Sequence, residues 1–522
     1  MDDLEATASL PPWTLIQGLL SLLVAFLTYL AAERWYLRPW RLSRVLREQG
    51  IWGTSYQFPA GDLKQSGQLN AEAWSKPMAL CHDIIPRVIP HVHNTIKEHG
   101  NICFTWLGPV PKVIIGDAVP VRDILSNKLG HIMKFTSKRS GELLAFGIAN
   151  HDGEKWAKHR RILNPAFHLD HLKRMLPAFY TCCTDLVDRW ESKLASSDGS
   201  YEVDIWPEFR NQTGDVISRT AFGSNIVEGR RIFQLQAEQA QRLIKSFQYM
   251  YIPGSLYLPT KNNRRMDEIN KEIEGIIRGL IMKREREMGN GEPSGNDMLG
   301  LLMQSNMDSG KGSMRMSTED IIDECKLFYF AGTDATAVLL TWTLVLLCMH
   351  PEWQNVAREE VLSVFGRDKP NFDGVSRLKK VTMILYEVLR LYPPQVTLTR
   401  RVSKDIQIGG ITYPEGVILE LPIILIHHNT ELWGEDAREF KPERFAEGIS
   451  KANKDRPAYF PFGWAARICI GQNFALLQAK MALSMILQRF EFQLSPSYSH
   501  APYTVITLHP QHGAQIILKK RL

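Results

Sequence analysis

Residues 459–475 read YFPFGWAARICIGQNFA and place Phe462, Arg467 and Cys469 directly before an apolar run with helical spacing, 475–490. A cysteine at a helix N-terminus is favoured as a thiolate, because the helix dipole and the unpaired backbone N–H groups stabilise negative charge. No second cysteine or histidine stands nearby at metal-ligand spacing. A single thiolate suits an iron already held by four porphyrin nitrogens better than it suits zinc. The alternative interpretation of Cys469 is a small buried hydrophobic side chain.

A haem group also requires cations beside its propionate carboxylates. Arg467 stands two residues before Cys469, and Trp156 and Arg160 lie one helical turn apart in the segment GEKWAKHRR. Charge-assisted hydrogen bonds from these arginines would satisfy the carboxylates. The sequence therefore predicts a haem-thiolate site that draws on Trp156, Arg160, Arg467 and Cys469.

Composition argues against several other classes of protein. The 522 residues are 44% apolar, so the chain can bury a large core without disulfides or structural metals. Seven cysteines form an odd set with no C-x-x-C pair, which indicates neither a disulfide framework nor a zinc site. The net charge of +6 is mild and the basic residues are scattered, so we expect no nucleic-acid partner.

The first 48 residues predict a membrane anchor. Residues 13–32 are about twenty mostly apolar residues without a charge, roughly the length that spans a bilayer as a helix. Acidic residues precede the segment and basic residues follow it, so the positive-inside rule places the bulk of the chain in the cytosol. A cleaved secretory signal is the alternative, but its first residues would be basic rather than acidic. The basic residues after the segment include Arg34, Arg38, Arg41, Arg44 and Arg47.

The predicted organisation is a lumenal tail at 1–12, a transmembrane anchor at 13–32, a basic linker at 33–60 and a catalytic domain at 61–522. A single anchor before a globular domain is typical of an endoplasmic-reticulum enzyme that takes apolar substrates from membrane lipid. Because the domain is expected to face the cytosol, the sequon at Asn211 is expected to carry no sugar.

The rest of the chain predicts a mainly α-helical fold with small β-sheets. Residues 102–117 indicate two short strands around a Gly-Pro turn, and helical periodicity dominates from about 150 to 395. Beyond 395, two segments favour hairpins. Residues 286–316 are rich in Gly, Ser and Asn around a short helical island, which we interpret as a surface excursion.

One predicted helix is long enough to cross the whole domain. A capping box at Ser317 and Asp320 begins it, and helical character continues to Pro351, about 33 residues or roughly 50 Å. Its middle reads AGTDAT (331–336), where Gly332 predicts that another group approaches the helix backbone closely. A second transmembrane span is rejected, because Asp334 would then lie inside the bilayer.

These motifs, in this order, resemble those of the cytochrome P-450 family of haem-thiolate monooxygenases. The likeness covers nearly the whole chain and rests on the Trp156 segment, AGTDAT, YEVLRLYPP (386–394), FKPERF (440–445) and the Cys469 segment. The resemblance implies the P-450 fold, haem b with Cys469 as axial thiolate, and dioxygen as co-substrate. It implies an NADPH–cytochrome P-450 reductase as the electron donor.

The resemblance also implies roles for individual residues. Haem contacts are expected from Trp156, Arg160, Arg400, Phe462 and Arg467, with Arg401 as the alternative to Arg400. A buried salt-bridge cluster behind the cysteine loop is expected from Glu387, Arg390 and Arg444. Reductase is expected to dock where Lys155, Lys158 and Arg161 lie with the Cys469 loop; a merely solvated lysine face is the alternative.

Longer sequence segments, such as LREQGIWGTSY and HHNTELWGEDAREFKPERF, resemble those of a plant branch of the family whose members oxidise terpenoid skeletons. The implied substrate is an apolar small molecule: a triterpenoid, an iridoid, a gibberellin-type diterpenoid or a xenobiotic.

Two residues depart from the family pattern. Ala465 replaces the first glycine of F-x-x-G-x-R-x-C-x-G, which is strained if that position needs positive φ. Ala335 stands where most of the family has a threonine beside bound oxygen. We therefore assign the proton relay to Asp334 with ordered water. Thr336 is the second candidate, although it points about 100° away from position 335.

Three functions remain open on these grounds. The first is a hydroxylase that depends on NADPH and dioxygen. The second is a haem-thiolate isomerase or lyase that acts without dioxygen or reductase and needs no relay alcohol. The third is a non-catalytic haem protein. A requirement for NADPH distinguishes the first from the second.

Overall fold

The structure is a computed structural model, and it describes most of the 522-residue chain. The predicted tail at 1–12 lies outside the described part apart from Pro12. The described residues are 12–127, 130–135, 138–223, 226–248, 254–290, 297–308, 315–453 and 457–520.

Helices make up most of the described chain, which confirms the predicted mainly α-helical class. The α-helices are α1 (Pro12–Ala32), α2 (Arg38–Glu48), α3 (Leu63–Ser75), α4 (Ile85–Val88), α5 (Pro90–His99), α6 (Ala118–Ser126), α7 (Lys138–Leu144), α8 (Gly153–Leu163), α9 (Leu169–Ala195), α10 (Ile205–Phe222), α11 (Ile226–Gln248), α12 (Lys261–Gly289), α13 (Met298–Asp308), α14 (Thr318–Met349), α15 (Pro351–Phe365), α16 (Phe372–Arg377), α17 (Lys379–Leu391), α18 (Ile423–His427), α19 (Thr430–Trp433) and α20 (Gln472–Arg489).

The strands form small sheets around this helical body. They are β1 (Ile102–Leu107), β2 (Val110–Ile115), β3 (Ile132–Lys134), β4 (Ser200–Asp204), β5 (Leu398–Val402), β6 (Ile406–Ile408), β7 (Ile411–Tyr413), β8 (Ile418–Leu421), β9 (Phe490–Leu494), β10 (Pro502–Val505), β11 (Thr507–Pro510) and β12 (Gln515–Lys520).

The largest sheet has the order β1-β2-β8-β5-β3. Its first two strands are the antiparallel pair predicted at 102–117, and they turn at Gly108, whose φ is +55°. β2 and β8 pair in parallel, whereas β5 pairs antiparallel with both β8 and β3. The sheet therefore brings β3, from the first third of the chain, beside β5, from its last third.

The predicted hairpins beyond residue 395 are present, with one difference. β6 pairs with β7, and β10 pairs with β11. The last strand, β12, joins neither hairpin, because it pairs with β4 and β9 in a separate three-stranded sheet. The C-terminus is thus tied to the start of α10.

α14 is the long central helix. The capping box predicted at its start is formed, since Asp320 N donates to Ser317 Oγ and Ser317 N donates to Asp320 Oδ2. Its most apolar window is 72% buried in protein, as expected of a core helix rather than a second span. A Cβ on Gly332 would lie 2.3 Å from Cδ1 of Ile217, so the close approach at this glycine comes from α10.

The N-terminal helix is longer than the predicted anchor. A helical stretch runs from Trp13 to Glu48, and its apolar part is exposed throughout. The first half of the predicted basic linker is therefore helical, and it packs on the domain through buried Leu46. Beyond α2, Gln49 Nε2 donates to Thr412 O, and Thr412 N donates to Gln49 Oε1.

The segment at 286–316 is not simply a surface excursion. α12 continues to Gly289, and the helical island forms α13. Because α13 begins with apolar residues at helical spacing, it buries one face in the main core. The α13 side chains in this core are Met298, Leu299, Leu302 and Met303.

Candidate active site

The cysteine loop lies between the buried residue Phe460 and the start of α20. A short 3-10 turn, Ala465–Arg467, folds the loop back so that Cys469 N donates to Phe462 O at 2.8 Å. α20 begins at Gln472, so Cys469 lies three residues before the helix rather than in its first turn. Cys469 therefore lies near a helix N-terminus, as predicted, but it is further from the first helical residue than expected.

The Cys469 side chain is accessible to solvent, although protein atoms surround it closely. Burial raises the pKa of its thiol above the ordinary value, and the Gly471 N–H and the charges of Arg160 and Lys134 offset the rise only in part. The helix end alone therefore does not make Cys469 a thiolate. Coordination to a metal ion deprotonates a thiol outright.

Ala465 has a left-handed backbone conformation. Its φ is +55°, in the left-handed region, and Gly463 two residues earlier has φ +76°. A side chain disfavours this region because Cβ approaches the backbone too closely. The cysteine loop therefore carries backbone strain at Ala465.

Arg467 is held by the segment before α8. Its Nη2 pairs with Asp152 Oδ1, and its Nη1 donates to His151 O at 2.7 Å. Its guanidinium also lies 4.4 Å from the ring centre of Trp156. The structure thus brings Arg467 and Trp156 together, as predicted, and adds Asp152 as a partner that the sequence did not indicate.

Arg160 lies beside the cysteine loop. Its Nη1 donates to Ile468 O at 2.9 Å, one residue before Cys469. Burial lowers the pKa of Arg160, and the Cys469 thiol opposes that shift. Trp156 and Arg160 therefore lie on the same side of α8 and meet the same loop.

A second pair of cations lies where β3 meets β5. Lys134 stands directly opposite Arg400 in the antiparallel register. Burial, together with the charges of Arg400 and Arg467, lowers the pKa of Lys134 to about 7. Burial and the charge of Arg467 lower the pKa of Arg400 to about 10. Arg400 points into the protein whereas Arg401 is exposed, which agrees with the preference for Arg400.

These cations fit a bound dianion. Like charges directly opposite each other on neighbouring strands are destabilising, and Asp152 is the carboxylate that pairs with Arg467 among them. Arg160, Arg400, Arg467 and Lys134 surround the approach to Cys469 with excess positive charge. A haem, with two propionates and an iron that binds thiolate, matches both features.

The cysteine loop reaches the central helix through aromatic side chains. A Cβ on Gly471 would lie 3.9 Å from both Cys469 Sγ and Cε1 of Phe167. Phe167 in turn packs on Phe328 of α14, with ring centres 5.6 Å apart. One turn further along α14, Ala331 is exposed although the helix around it is largely buried. Small side chains thus leave open space on this part of α14.

Asp334 lies on a different side of α14 from that aromatic contact and is held by the C-terminal hairpin. Thr507 Oγ1 donates to Asp334 Oδ2, which lies 2.9 Å from His509 Nε2. Arg210 Nε of α10 lies 3.5 Å from Oδ1 of the same carboxylate. Burial raises the pKa of Asp334, but His509, Thr507 and Arg210 outweigh burial, so that the pKa lies below its ordinary value.

A cavity of about 210 Å³ lies beside Asp334. It is enclosed by α10, α11, α14 and the β10–β11 hairpin. Its walls are mixed: apolar side chains include Phe233 and Phe330, and polar side chains include Arg210, Gln236 and Asp334.

The threonines near Asp334 lie elsewhere. Thr336 is 2% exposed and packs in the core. Thr333 Oγ1 donates back to Tyr329 O at 2.7 Å, and Thr333 O accepts from Thr213 of α10. Thr336 thus remains a predicted relay residue without a hydrogen bond that connects it to Asp334 in the described residues.

Glu387, Arg390 and Arg444 come together as expected. Arg390 Nε and Nη2 each donate to the Glu387 carboxylate at 2.7 Å, and both side chains are fully buried. Arg444 Nε lies 3.5 Å from Glu387 Oε1, which is an ion pair rather than a hydrogen bond. Arg390 also donates to the carbonyls of His427, Ala437 and Glu439. The cluster therefore ties α17 to the chain that leads to the cysteine loop.

Comparison with known proteins identifies the family. The family model "Cytochrome P450" matches residues 85–513. The chain belongs to the cytochrome P450 family. Cytochrome P450 CYP72A616 of Paris polyphylla is 56% identical over 97% of this chain and 98% of its own length. Cytochrome P450 72A11 of Arabidopsis thaliana is 52% identical over 93% of this chain and 94% of its own length.

A solved structure confirms the fold. Retinoic acid-bound cyanobacterial CYP120A1 superimposes with a TM-score of 0.73, at 22% identity, over 90% of this chain and 100% of that chain. The predicted family and its plant branch are thus confirmed. The P450 is a haem-thiolate monooxygenase, and its cofactor is haem b with an axial cysteine thiolate.

Sequence reasoning missed several residues of this P450 site. Lys134 stands in a short strand without a motif, and only its register opposite Arg400 shows its place. Asp152 was visible as the acidic residue four positions before Trp156, but no pattern linked it to Arg467. Thr507 and His509 lie more than 170 residues beyond Asp334, so only the folded hairpin brings them together.

Proposed function

We propose that this P450 oxidises an apolar small molecule of terpenoid type, using dioxygen and electrons from NADPH delivered by a cytochrome P450 reductase. The similarity of the chain to the plant branch supports a terpenoid substrate, and a xenobiotic is the alternative substrate class. That similarity carries the proposal, because the cavity beside Asp334 combines apolar walls with polar groups such as Arg210 and Gln236 and does not by itself select an apolar substrate.

Haem would be held by Cys469 at the iron, with Phe462 and Trp156 packed near the loop. Arg160, Arg400, Arg467 and Lys134 would neutralise its propionates. When bound, haem supplies the activation of dioxygen, to which the thiolate contributes electron density. The protein chain contributes orientation, exclusion of water and proton delivery.

Asp334 is the proposed proton donor. Its Oδ2 accepts hydrogen bonds from Thr507 and His509, which hold the carboxylate while it is ionised. Protonation at this oxygen weakens its attraction to Arg210 and frees the carboxyl group to pass a proton through water. Thr336 is a second proposed participant, although its burial offers no direct route.

The proposed location is the endoplasmic-reticulum membrane, with a single span and a cytosolic domain. The exposed apolar helix that begins at Trp13 supports anchoring. Reductase is proposed to dock over Lys155, Lys158 and the exposed Arg161. Lys155 Nζ pairs with Asp320 at 2.7 Å, and Lys158 Nζ donates to Arg315 O at 2.5 Å. Both lysines therefore have partners, and docking would add to these contacts or replace them.

Microsomes that contain the full chain with plant reductase test the proposal directly. A panel of triterpenoids, iridoids, gibberellin-type diterpenoids and herbicides is incubated with and without NADPH, and products are measured by mass spectrometry. We expect an oxygenated product only with NADPH, and 18-oxygen from dioxygen in that product. A product that forms equally without NADPH would favour an isomerase or lyase.

The same microsomes test the topology. Protease added outside sealed vesicles should digest the domain, and Asn211 should carry no glycan. A protected and glycosylated chain would place the domain in the lumen.

A further inference from the structure

A cluster of three buried, metal-binding side chains lies outside the cysteine site. His151 precedes α8, His159 lies within α8, and Glu324 lies on α14. Their exposed fractions are 5%, 1% and 0%. Each residue offers one donor atom, and these atoms lie within 4.8 Å of one another.

Polar atoms in this cluster lack partners. Within the described residues, His151 Nε2, His159 Nε2 and Glu324 Oε2 have no hydrogen bond. Buried polar atoms are almost always paired, so the unpaired His151 Nε2 and Glu324 Oε2 point to a missing ligand, whereas His159 Nε2 faces the Asp320 carboxylate at 3.8 Å. Space for a larger side chain is absent beside Glu324, because a Cβ on Gly147 would lie 2.8 Å from Glu324 Oε2.

The arrangement has the inner and outer contacts of a metal site. His159 Nδ1 lies 2.6 Å from Glu324 Oε1, and His159 Nε2 lies 3.8 Å from Asp320 Oδ1. A histidine that binds metal through one ring nitrogen commonly donates from the other to a carboxylate. Asp320 is itself fixed by Lys155 and by the capping box, so it offers a rigid outer carboxylate.

We propose that His151, His159 and Glu324 bind a divalent transition-metal ion, and that the ion is Zn²⁺. Two imidazoles and one carboxylate are a donor set that zinc favours. A tetrahedral zinc at about 2.0–2.1 Å from nitrogen places its donors about 3.4 Å apart, so the side chains need to move by roughly 1 Å.

The ion would join three parts of the fold. The backbone carbonyl of His151 accepts a hydrogen bond from the Arg467 guanidinium. Arg160 lies on α8, and Asp334 lies on α14. The zinc therefore stabilises the approach of α8 to α14 beside the haem-binding arginines. It takes no part in the oxidation itself.

Metal analysis of the purified haem-loaded chain tests this site. The protein is incubated with Zn²⁺, desalted through a weak chelator and measured for zinc, copper and iron, with haem counted separately by its pyridine complex. We expect about one zinc per chain in the parent. The variants His151→Gln and Glu324→Gln should each lose most of it at unchanged haem content.

A matched control is His171→Gln on α9, since His171 Nδ1 is also buried without a hydrogen-bond partner but lies outside the cluster. This variant should retain zinc. If Glu324→Gln fails to fold, the zinc content of His151→Gln decides between the outcomes, because His151 Nε2 has no hydrogen bond that the substitution would remove. Absence of zinc from the parent, zinc retained in His151→Gln, or copper or extra iron in place of zinc would each overturn the proposal.

Discussion

Lys134 and Arg400 face each other across the antiparallel pair of β3 and β5, at the edge of the site that contains Cys469. Two cations in this position repel each other, and Arg467 adds a third. These cations are close together at the place where the two propionate carboxylates of haem would bind. The repulsion among these three cations therefore indicates the side of the site on which the haem propionates are expected.

Removal of the Lys134 charge should change how haem retention depends on pH. Burial and the neighbouring cations lower the pKa of Lys134 to about 7, and a propionate partner would raise it toward the ordinary Lys value of about 10.4. Between these values haem binding takes up a proton, so affinity falls as pH rises. Lys134→Gln should release haem faster at pH 7 and should lose most of the increase in release rate between pH 7 and 9.

Transfer of haem to an excess of apomyoglobin measures that release. Arg401→Gln is the matched control, since Arg401 is the exposed neighbour of Arg400. An identical pH profile in Lys134→Gln and the parent would show that Lys134 does not meet a propionate.

Substitution of Ala465 by glycine should strengthen the cysteine loop. Ala465 holds φ at +55°, where glycine is unstrained, so Ala465→Gly should stabilise the folded loop by about 1 kcal/mol. We expect slower loss of the thiolate-haem absorption band on heating. Ala466→Gly is the control, because Ala466 lacks the positive φ and its replacement should be neutral or harmful. Equal effects of the two substitutions would contradict the strain argument.

The pair of Glu387 and Arg390 should tolerate almost no change. Arg390→Ala leaves the fully buried Glu387 without its bidentate partner, which typically costs about 3–5 kcal/mol. Little haem-loaded protein should accumulate. Arg444→Lys should be milder, because Arg444 approaches Glu387 only to 3.5 Å and its remaining contacts are to Trp433 and Asp436. The measurement is the amount of thiolate-haem protein per chain, and equal yields from both variants would refute this ranking.

Local rules predicted those parts of the fold that depend on neighbouring residues. The capping box at Ser317, the hairpin at 102–117 and the long central helix all follow from short-range pattern, and the structure has them. α13 was misjudged because its Gly- and Ser-rich flanks suggested solvent exposure, whereas its own apolar face is buried. Composition in a loop does not determine whether a short helix within it reaches the core.

The site was predictable where a motif placed residues close together in sequence. Arg467 and Cys469 lie in one loop, and Trp156 and Arg160 lie one turn apart on one helix. The partners that tertiary structure supplies were not predictable. Lys134 depends on strand register. His509 depends on a hairpin that folds back onto α14, and such a contact leaves no periodic signal in the sequence.

The proton relay provides the last prediction. Asp334 is partly buried and its pKa is lowered, so it is ionised near pH 7 and must take up a proton before it can deliver one. Asp334→Asn removes that capacity and should slow NADPH-dependent turnover by about 10-fold or more, since general acid catalysis typically contributes about 10²- to 10⁴-fold and water offsets part of it. His509→Gln keeps a hydrogen bond to Asp334 and should have a smaller effect.

Ala335→Thr should have the opposite effect, because it restores an alcohol next to Asp334 on the helix. We expect more product per NADPH consumed and less peroxide released, measured together in the reconstituted system with reductase. Ala331→Thr is the matched control, since Ala331 lies one helical turn earlier on the same part of α14 and is exposed there. Its added hydroxyl lies about 6 Å along the helix axis from position 335, where the relay alcohol is expected, and should leave coupling unchanged. If Ala335→Thr and Asp334→Asn both leave coupling as in the parent, protons do not pass this turn of α14. A relay through water alone would then be the better account.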